Sequence, residues 1–409
     1  MGAMMNQKIF SKGSIFGFIK QAHPFYKQIS AFEELIHQSP AYSEYLSRQQ
    51  QGLTTSIHAE VKTKSCEDGR HLERFYYSIQ YPEHTLRGGL YAWSLHYSRG
   101  DGLTQTSDFP NDPKLAHLPL FINSPQNRDI EVLRYVPLRR VTFRTSVSQE
   151  QPSVIGKLKK PNRCQEGYRR LVDIAKVADY NVCAIPKPKG INIAQSVFYQ
   201  ELVPGVETGL ILNRENYRGF MSEIGKLHAH LFSWPISKDM PWDRDGVMNN
   251  IWQDLDEILF YLPQIELVLS KIGNWIRQRK SYLGVMPKTF CHGDFACSQI
   301  LRHANGWSVV DFDLAGLGDP YQDMAMFLVS LNYDVGFFQG HPEFLPTAYA
   351  AYLEGYQHVN EDGVDVGTFN WYLVCAEIYY LSLILKKDRF TALSLERALV
   401  RLQELTELT

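Results

Sequence analysis

Long apolar runs are missing from this 409-residue chain. Its most apolar stretch, residues 371–385, is broken by Glu377, so no segment reads as a membrane span. Cysteine is sparse: six are scattered with no C-x-x-C pair, which gives no basis for a disulfide scaffold. A dominant charge sign is absent too. The formal net charge of −2 leaves no bulk electrostatic case for nucleic acid or an anionic membrane as partner. The first residues lack the apolar core of a signal peptide, and no internal repeat or low-complexity tract interrupts the chain. These absences lead us to expect a soluble protein of the cytoplasm. Its length allows two or three domains and a sizeable core.

What is present concentrates in residues 291–325, CHGDFACSQILRHANGWSVVDFDLAGLGDPYQDMA. Asn305-Gly306 is a strong hairpin signal, because both residues accept the positive φ of a type I′ turn. Residues 300–301 and 307–310 read as its strands. Pairing about that turn sets Arg302 opposite Val309 and Ile300 opposite Asp311. Gln299 and Asp311 then emerge side by side at the open end, with Asp294 on the preceding loop. Two acids and an amide oxygen converging on one spot suit Mg²⁺ on a polyphosphate. Asp319-Pro320 reads as a helix start, an N-cap acid followed by proline at the first helical position. Asp323, one turn on, is favoured there by the helix dipole. His292 reads as a structural hydrogen-bonder.

The spacing H-G-D-x-x-x-x-Q, followed by V-V-D-F-D-x-A-x-x-G-D-P-x-x-D, resembles the catalytic segment of the aminoglycoside phosphotransferase and choline kinase group, small-molecule relatives of protein kinases. The resemblance implies Asp294 as catalytic base, Gln299 and Asp311 as metal ligands, and Asp323 as a brace for the catalytic loop. The family's usual amide residue is Asn. Gln299 departs from it, as in some sugar-kinase branches such as maltokinases, and its carbonyl reaches a metal through one more methylene.

Upstream, residues 130–135, 140–145 and 153–159 are three strand candidates. Lys157 sits in the third, ahead of a helix pattern that includes Glu166. This resembles the kinase pair in which a strand lysine holds phosphates and a helix glutamate orients it. Period-2 alternation puts Lys157 and Lys159 on one face, so either is open as the site lysine; the alternative is that both are solvated. No glycine-rich loop precedes them, and Arg139 or Arg140 is open as a substitute phosphate contact. Residues 197–205, VFYQELVPG, resemble a kinase hinge, where backbone groups of Glu201 and Val203 would face adenine.

Residues 1–125 say least. Residues 30–38 read as a helix, with Ser30 and Glu33 spaced as a capping box and Pro40 ending it. Residues 74–81 and 90–97 alternate like paired strands, and the proline-rich residues 108–120 read as a loop. Beyond residue 205 the patterns are helical: 215–232, two helices within 247–282 jointed at Leu262-Pro263, then 342–356, 369–385 and 393–405. His228 and His230 stand two apart on different helix faces, which disfavours a shared zinc. Trp242, Asp243, Asp245, Trp252, Asp254 and Asp256 are candidates to line an acceptor pocket, or to form a solvated face.

The expected fold is α+β, bilobal and protein-kinase-like, with a cap region (1–125), a small β-rich N-lobe and hinge (126–205) and a mostly helical catalytic C-lobe (206–409). The expected activity is transfer of the ATP γ-phosphoryl group, with Mg²⁺, to a hydroxyl of a small molecule such as a sugar, aminoglycoside or amino alcohol. Neither nucleic acid nor membrane is expected as a partner. A catalytically silent nucleotide-binding regulator is the alternative, motivated by Gln299 and the missing glycine loop. A metal-dependent hydrolase is a third reading.

Overall fold

Phe75, Tyr77 and Ile79 alternate along one strand and all three are buried, the period-2 mark of a sheet with one covered face. That strand, β2 (Gly69–Gln80), pairs antiparallel with β1 (Ser56–Cys66) and with β3 (Trp93–Ser98), and β4 (Leu103–Ser107) completes a four-stranded meander. Helix α1 (Pro40–Gln50) precedes it. Ser39 caps α1, its hydroxyl accepting the Tyr42 N–H at 3.2 Å, so Pro40 opens a helix rather than merely ending one. The computed structural model describes residues 34–52, 56–66, 69–80, 93–98, 103–107, 109–127, 130–136, 138–145, 153–235, 250–280, 283, 287–386 and 392–406. The expected capping box at Ser30 and Glu33 and the pocket candidates Trp242, Asp243 and Asp245 lie outside them.

The chain divides into two compact units: Met1–Tyr168 with Pro188–Leu202 and Ile384–Ala392, and Arg169–Lys187 with Val203–Leu383 and Leu393–Thr409. The first is β-rich and the second mostly helical. The described elements together make an α+β fold, as expected.

In the first unit, β5 (Glu131–Val136), β6 (Arg140–Thr145), β7 (Val154–Lys159), β8 (Pro188–Asn192) and β9 (Val197–Glu201) form an antiparallel sheet in the order β5-β6-β7-β9-β8. The short helix α2 (Leu118–Asn123) supplies Leu118, Phe121 and Ile122 to a core that includes Val141, Phe143, Leu158 and Val197. Gly156 is needed there, because a Cβ would lie 2.1 Å from the Phe143 ring. The expected proline-rich loop therefore ends in a core helix. Within it Asp112 is buried and accepts N–H groups of Lys114 (2.8 Å), Leu115 (3.1 Å) and Leu138 (2.7 Å), and the Tyr135 hydroxyl. Leu138, at φ 61°, occupies the β5–β6 turn where a glycine-rich loop is missing, and the Asp112 carboxylate holds that left-handed backbone.

Helix α3 (Pro161–Val177) follows β7. After the two-residue strand β10 (Val206–Glu207) and the turn-length α4 (Thr208–Ile211), the second unit holds α5 (Tyr217–Phe232), α6 (Ile251–Tyr261) and α7 (Glu266–Lys280). The last two are separated at Pro263 as expected, since proline removes a helix donor. Beyond the catalytic segment come α8 (Pro320–Asp334), α9 (Gly336–Gly340), α10 (Leu345–Val359), α11 (Val366–Lys386) and α12 (Ala392–Thr406).

Helix α5 meets α10 at two glycines. A Cβ on Gly225 would lie 2.0 Å from the Tyr352 carbonyl oxygen, and one on Gly355 would lie 1.9 Å from that of Ser222. Among the described residues, Val366–Leu385 alone is long and apolar enough to cross a membrane, and 83 % of its apolar window is buried inside the protein. Its Glu377 is fully buried, pairs with Arg401 of α12 and accepts the Tyr333 hydroxyl at 2.9 Å; burial pushes its carboxyl above the usual range.

Candidate active site

The catalytic segment is built from β11 (Thr289–Cys291), β12 (Ile300–His303), β13 (Gly306–Val309) and β14 (Gly316–Gly318). β12 and β13 pair as a hairpin with His303 opposite Gly306, Arg302 opposite Trp307 and Ile300 opposite Val309. The expected register, Ile300 opposite Asp311, is two residues out. The loop is Ala304-Asn305, neither at positive φ, and Gly306 takes φ 142° on the strand side. A type I′ turn would have required positive φ at Asn305.

Val310 ties the open end of this hairpin to the loop before it. The Val310 N–H donates to the Gln299 carbonyl at 2.9 Å, and the Val310 carbonyl accepts His292 Nε2–H at 2.9 Å. One residue therefore joins the loop that carries Asp294 to both expected metal ligands. Gln299 is buried, Asp311 half-buried and Asp294 exposed at the loop tip. Asp311 sits in the left-handed region at φ 64°, ψ 49°. That conformation costs about 1–2 kcal/mol for most residues, and Asp and Asn tolerate it best.

Asp323 organises the loop from below. Its carboxylate accepts the backbone N–H groups of His292 (2.8 Å) and Gly293 (3.0 Å). It also faces His228 Nε2 at 3.3 Å. Gly293, at φ 88°, makes the tight approach possible. Asp323 is 1 % exposed, so the three donors compensate a charge that burial alone would disfavour.

Two histidines sit in fixed states. His292 donates from Nε2, which leaves Nδ1 to accept the Asp294 N–H at 3.3 Å; one neutral tautomer satisfies both bonds. His228 is likewise consistent with a neutral ring, with Nε2–H toward Asp323 and Nδ1 accepting the Tyr352 hydroxyl at 2.6 Å. Its ring stacks on Phe295 at 3.9 Å. Burial pushes both imidazoles below their ordinary pKa, against the opposing pull of Asp323. His228 has both ring nitrogens engaged, which removes it as a hydrolase's metal ligand.

Asp319 caps α8 as the sequence suggested, accepting the Tyr321 N–H at 2.9 Å, and also accepts the Tyr372 hydroxyl. Cys297, beside Gln299, has its thiol pushed up to about 12 by burial and is no nucleophile. Sequence reasoning missed His228, Tyr352 and Tyr372 as loop supports. The available signal was a histidine within the apolar stripe Met221, Ile224, Leu227 and Leu231.

The remaining expected residues lie as follows. Lys157 and Lys159 are 5 % and 7 % exposed, and their ammonium groups lie 5.9 and 5.4 Å from the Phe198 ring centre, so neither is a solvated lysine. Glu166 pairs with Arg163 at 3.0 Å. Glu201 ends β9 with Lys189 at 4.0 Å, Val203 is buried, and the division between the units falls at Leu202. Asp254 is buried and accepts the Ser382 hydroxyl at 2.9 Å, so it belongs to the core rather than to a solvated face. Trp252 lies under the Arg277 guanidinium at 4.8 Å.

The donors at the open end, one carboxylate and one amide carbonyl, are hard oxygen ligands of the kind Mg²⁺ takes alongside substrate phosphates. Among the described residues no three His, Cys, Asp or Glu side chains gather as a metal site.

Residues 185–363, which contain Asp294, Gln299, Asp311, Asp319 and Asp323, match the phosphotransferase enzyme family, APH. No curated protein sequence matches the chain. Similar solved structures include an amicoumacin kinase in complex with AMP-PNP, Ca²⁺ and Ami (14 % identity, TM-score 0.49, covering 70 % of this chain and 90 % of that one). An aminoglycoside phosphotransferase mutant in ternary complex with ADP and hygromycin B is another (12 %, 0.49, 68 % and 93 %). A third is an ethanolamine kinase of Plasmodium vivax (13 %, 0.45, 68 % and 82 %).

Proposed function

We propose that this chain transfers the γ-phosphoryl group of ATP to a hydroxyl of a small molecule. The observation that supports it most is the catalytic loop: Asp294 is exposed at the tip of a backbone whose two preceding N–H groups are held by the buried Asp323. Asp294 orients the acceptor hydroxyl and takes its proton, a role in which position matters more than basicity. Its own N–H is tied to His292, which fixes the loop around it.

Gln299 and Asp311 would hold Mg²⁺, and Lys157 would neutralise phosphate charge. Bound Mg²⁺ would supply charge neutralisation on the transferring phosphate. A small acceptor fits the short path from Asp311 to α8. β14 pairs Gly316 with Cys291 and Gly318 with Thr289, and Asp319 caps the helix immediately afterwards. No long activation segment stands there to present a protein substrate.

The test is a screen of hydroxyl metabolites with Mg-ATP, run on wild type and Asp294→Asn. Wild type should phosphorylate at least one sugar, aminoglycoside or amino alcohol. Asp294→Asn should lose roughly 10²–10⁴ in rate while keeping Mg-ATP affinity, the span of general-base catalysis. Phosphorylation of folded proteins with no metabolite turned over would sink the acceptor class, and full activity of Asp294→Asn would sink the mechanism.

A further inference from the structure

Asp311 occupies a left-handed backbone conformation without being glycine, and such a conformation persists only where its surroundings over-determine it. On its N-terminal side the constraint is plain. Val310 donates to the Gln299 carbonyl and accepts His292 Nε2–H, both at 2.9 Å. On its C-terminal side the chain makes a single 3-10 turn, Phe312–Leu314, closed by the Ala315 N–H on the Phe312 carbonyl at 3.1 Å. That closure leaves the next carbonyl, of Asp313, outside the turn's own bonding. The Arg170 guanidinium, 143 residues earlier in the chain, donates Nη1–H to it.

We infer that Arg170 is a positioning residue for Asp311: it holds the far side of the left-handed turn and thereby aims the Asp311 carboxylate. The inference rests on the phosphotransferase reading above. Arginine suits the task for two reasons. Its guanidinium is charged at every working pH, and a charged donor makes a stronger bond to a carbonyl than a neutral one. Its planar fork is rigid, so the bond fixes direction as well as distance. The side chain is half-buried in the second unit, which limits competition from water for the same carbonyl. His292 thus fixes the peptide group that precedes Asp311, and Arg170 fixes one further along the turn, between Asp313 and Leu314. Nothing in the local sequence DFDLAG announces the second.

The test compares wild type with Arg170→Ala, Arg170→Lys and the neighbouring exposed-residue control Arg169→Ala. Mn²⁺ is titrated by electron paramagnetic resonance in the presence of AMP-PNP, and AMP-PNP affinity is measured separately without metal. Arg170→Ala should weaken Mn²⁺ binding roughly 10-fold, the lower end of what loss of an outer supporting group costs a metal site. Metal-free nucleotide affinity should stay within about twofold, since Arg170 is assigned no contact with nucleotide. Arg170→Lys, which restores a charged donor without the fork, should recover part of the loss, and Arg169→Ala should match wild type.

A folded Arg170→Ala that binds Mn²⁺ as wild type does would overturn the inference and leave the phosphotransferase reading intact. So would an equal loss of metal-free nucleotide affinity, the sign of general damage. If Arg170→Ala fails to fold, Arg170→Lys decides: Mn²⁺ affinity between wild type and a twofold loss counts against the pin, and a larger selective loss supports it. Wild type that binds neither Mn²⁺ nor AMP-PNP would overturn the phosphotransferase reading, and the inference with it.

Discussion

The Asp323 carboxylate accepts the His292 backbone N–H at 2.8 Å, across 31 residues of sequence. Helix α8 thereby fixes the height of the catalytic loop, and the same carboxylate takes the next N–H, from Gly293. Asp323→Ala leaves three buried donors unanswered. Each unanswered donor costs about 1–3 kcal/mol, so the variant should lose at least about 3 kcal/mol of stability in a urea titration. Asp323→Asn keeps one carbonyl oxygen and should fall between wild type and alanine. Turnover should drop in both, because Asp294, the proposed base, is displaced before the fold is lost. Wild-type stability in the alanine variant would show that the bonds carry no net weight.

The two buried histidines set an acid limit. Both have pKa values below the ordinary 6.5, so the unfolded chain binds protons that the folded chain refuses. The sign follows: stability is fully present above about pH 6.5 and is lost as pH falls below it, down to the folded pKa values. Each histidine contributes up to about 1.4 kcal/mol per pH unit in that window. The melting temperature should fall between pH 7 and pH 5.5, and His228→Gln, which keeps a donor for Asp323, should flatten the slope. Melting that is flat across this window in wild type would contradict the buried neutral rings.

Charge and backbone can be separated at Asp311. Asn also tolerates the left-handed region, so Asp311→Asn removes charge while retaining the turn. It should weaken Mg-ATP binding and turnover with little change in stability. Asp311→Ala adds backbone strain of about 1–2 kcal/mol and should also melt earlier. Gln299→Ala should raise the Mg²⁺ needed for half-maximal rate, and Gln299→Asn should retain part of the response. An unchanged Mg²⁺ titration for Gln299→Ala would make that residue a loop spacer.

The fully buried Glu377 pairs with the largely buried Arg401 between α11 and α12, and the guanidinium lies 4.3 Å from the Tyr349 ring centre. Removing one partner strands the other's charge. Arg401→Met should therefore cost about 3–5 kcal/mol, and adding Glu377→Leu should recover most of it. A double-mutant cycle in guanidinium chloride measures the coupling; additive losses would mean that the two charges do not interact.

The site was legible where its residues are close in sequence. Asp294, Gln299 and Asp311 were expected to meet at the open end of one hairpin, and Asp319 was expected to cap the next helix, which it does. The hairpin's register was misread because Asn305-Gly306 advertises a two-residue turn that the backbone does not make there. The supports were illegible for another reason. His228, Tyr352 and Arg170 reach the site from distant helices, and a histidine in an apolar stripe looks the same whether it fills space or holds a carboxylate. Pro40 and Asp112 show the same limit: each looks like punctuation in the sequence, yet one starts a helix and the other anchors a turn.

The crossing of α5 and α10 restricts how this protein can change. At Gly225 and Gly355 the space for a methyl group is already filled by the carbonyl of the opposite helix. An alanine at either place cannot be rescued by shrinking the other, because the other has no side chain to give up. In a selection for recovered activity after Gly225→Ala, survivors should carry glycine at 225 again and not a second change at 355. The two positions are a dead end for compensatory drift, and the helix that carries His228 is locked to the one that carries Tyr352 for as long as the lineage keeps this fold.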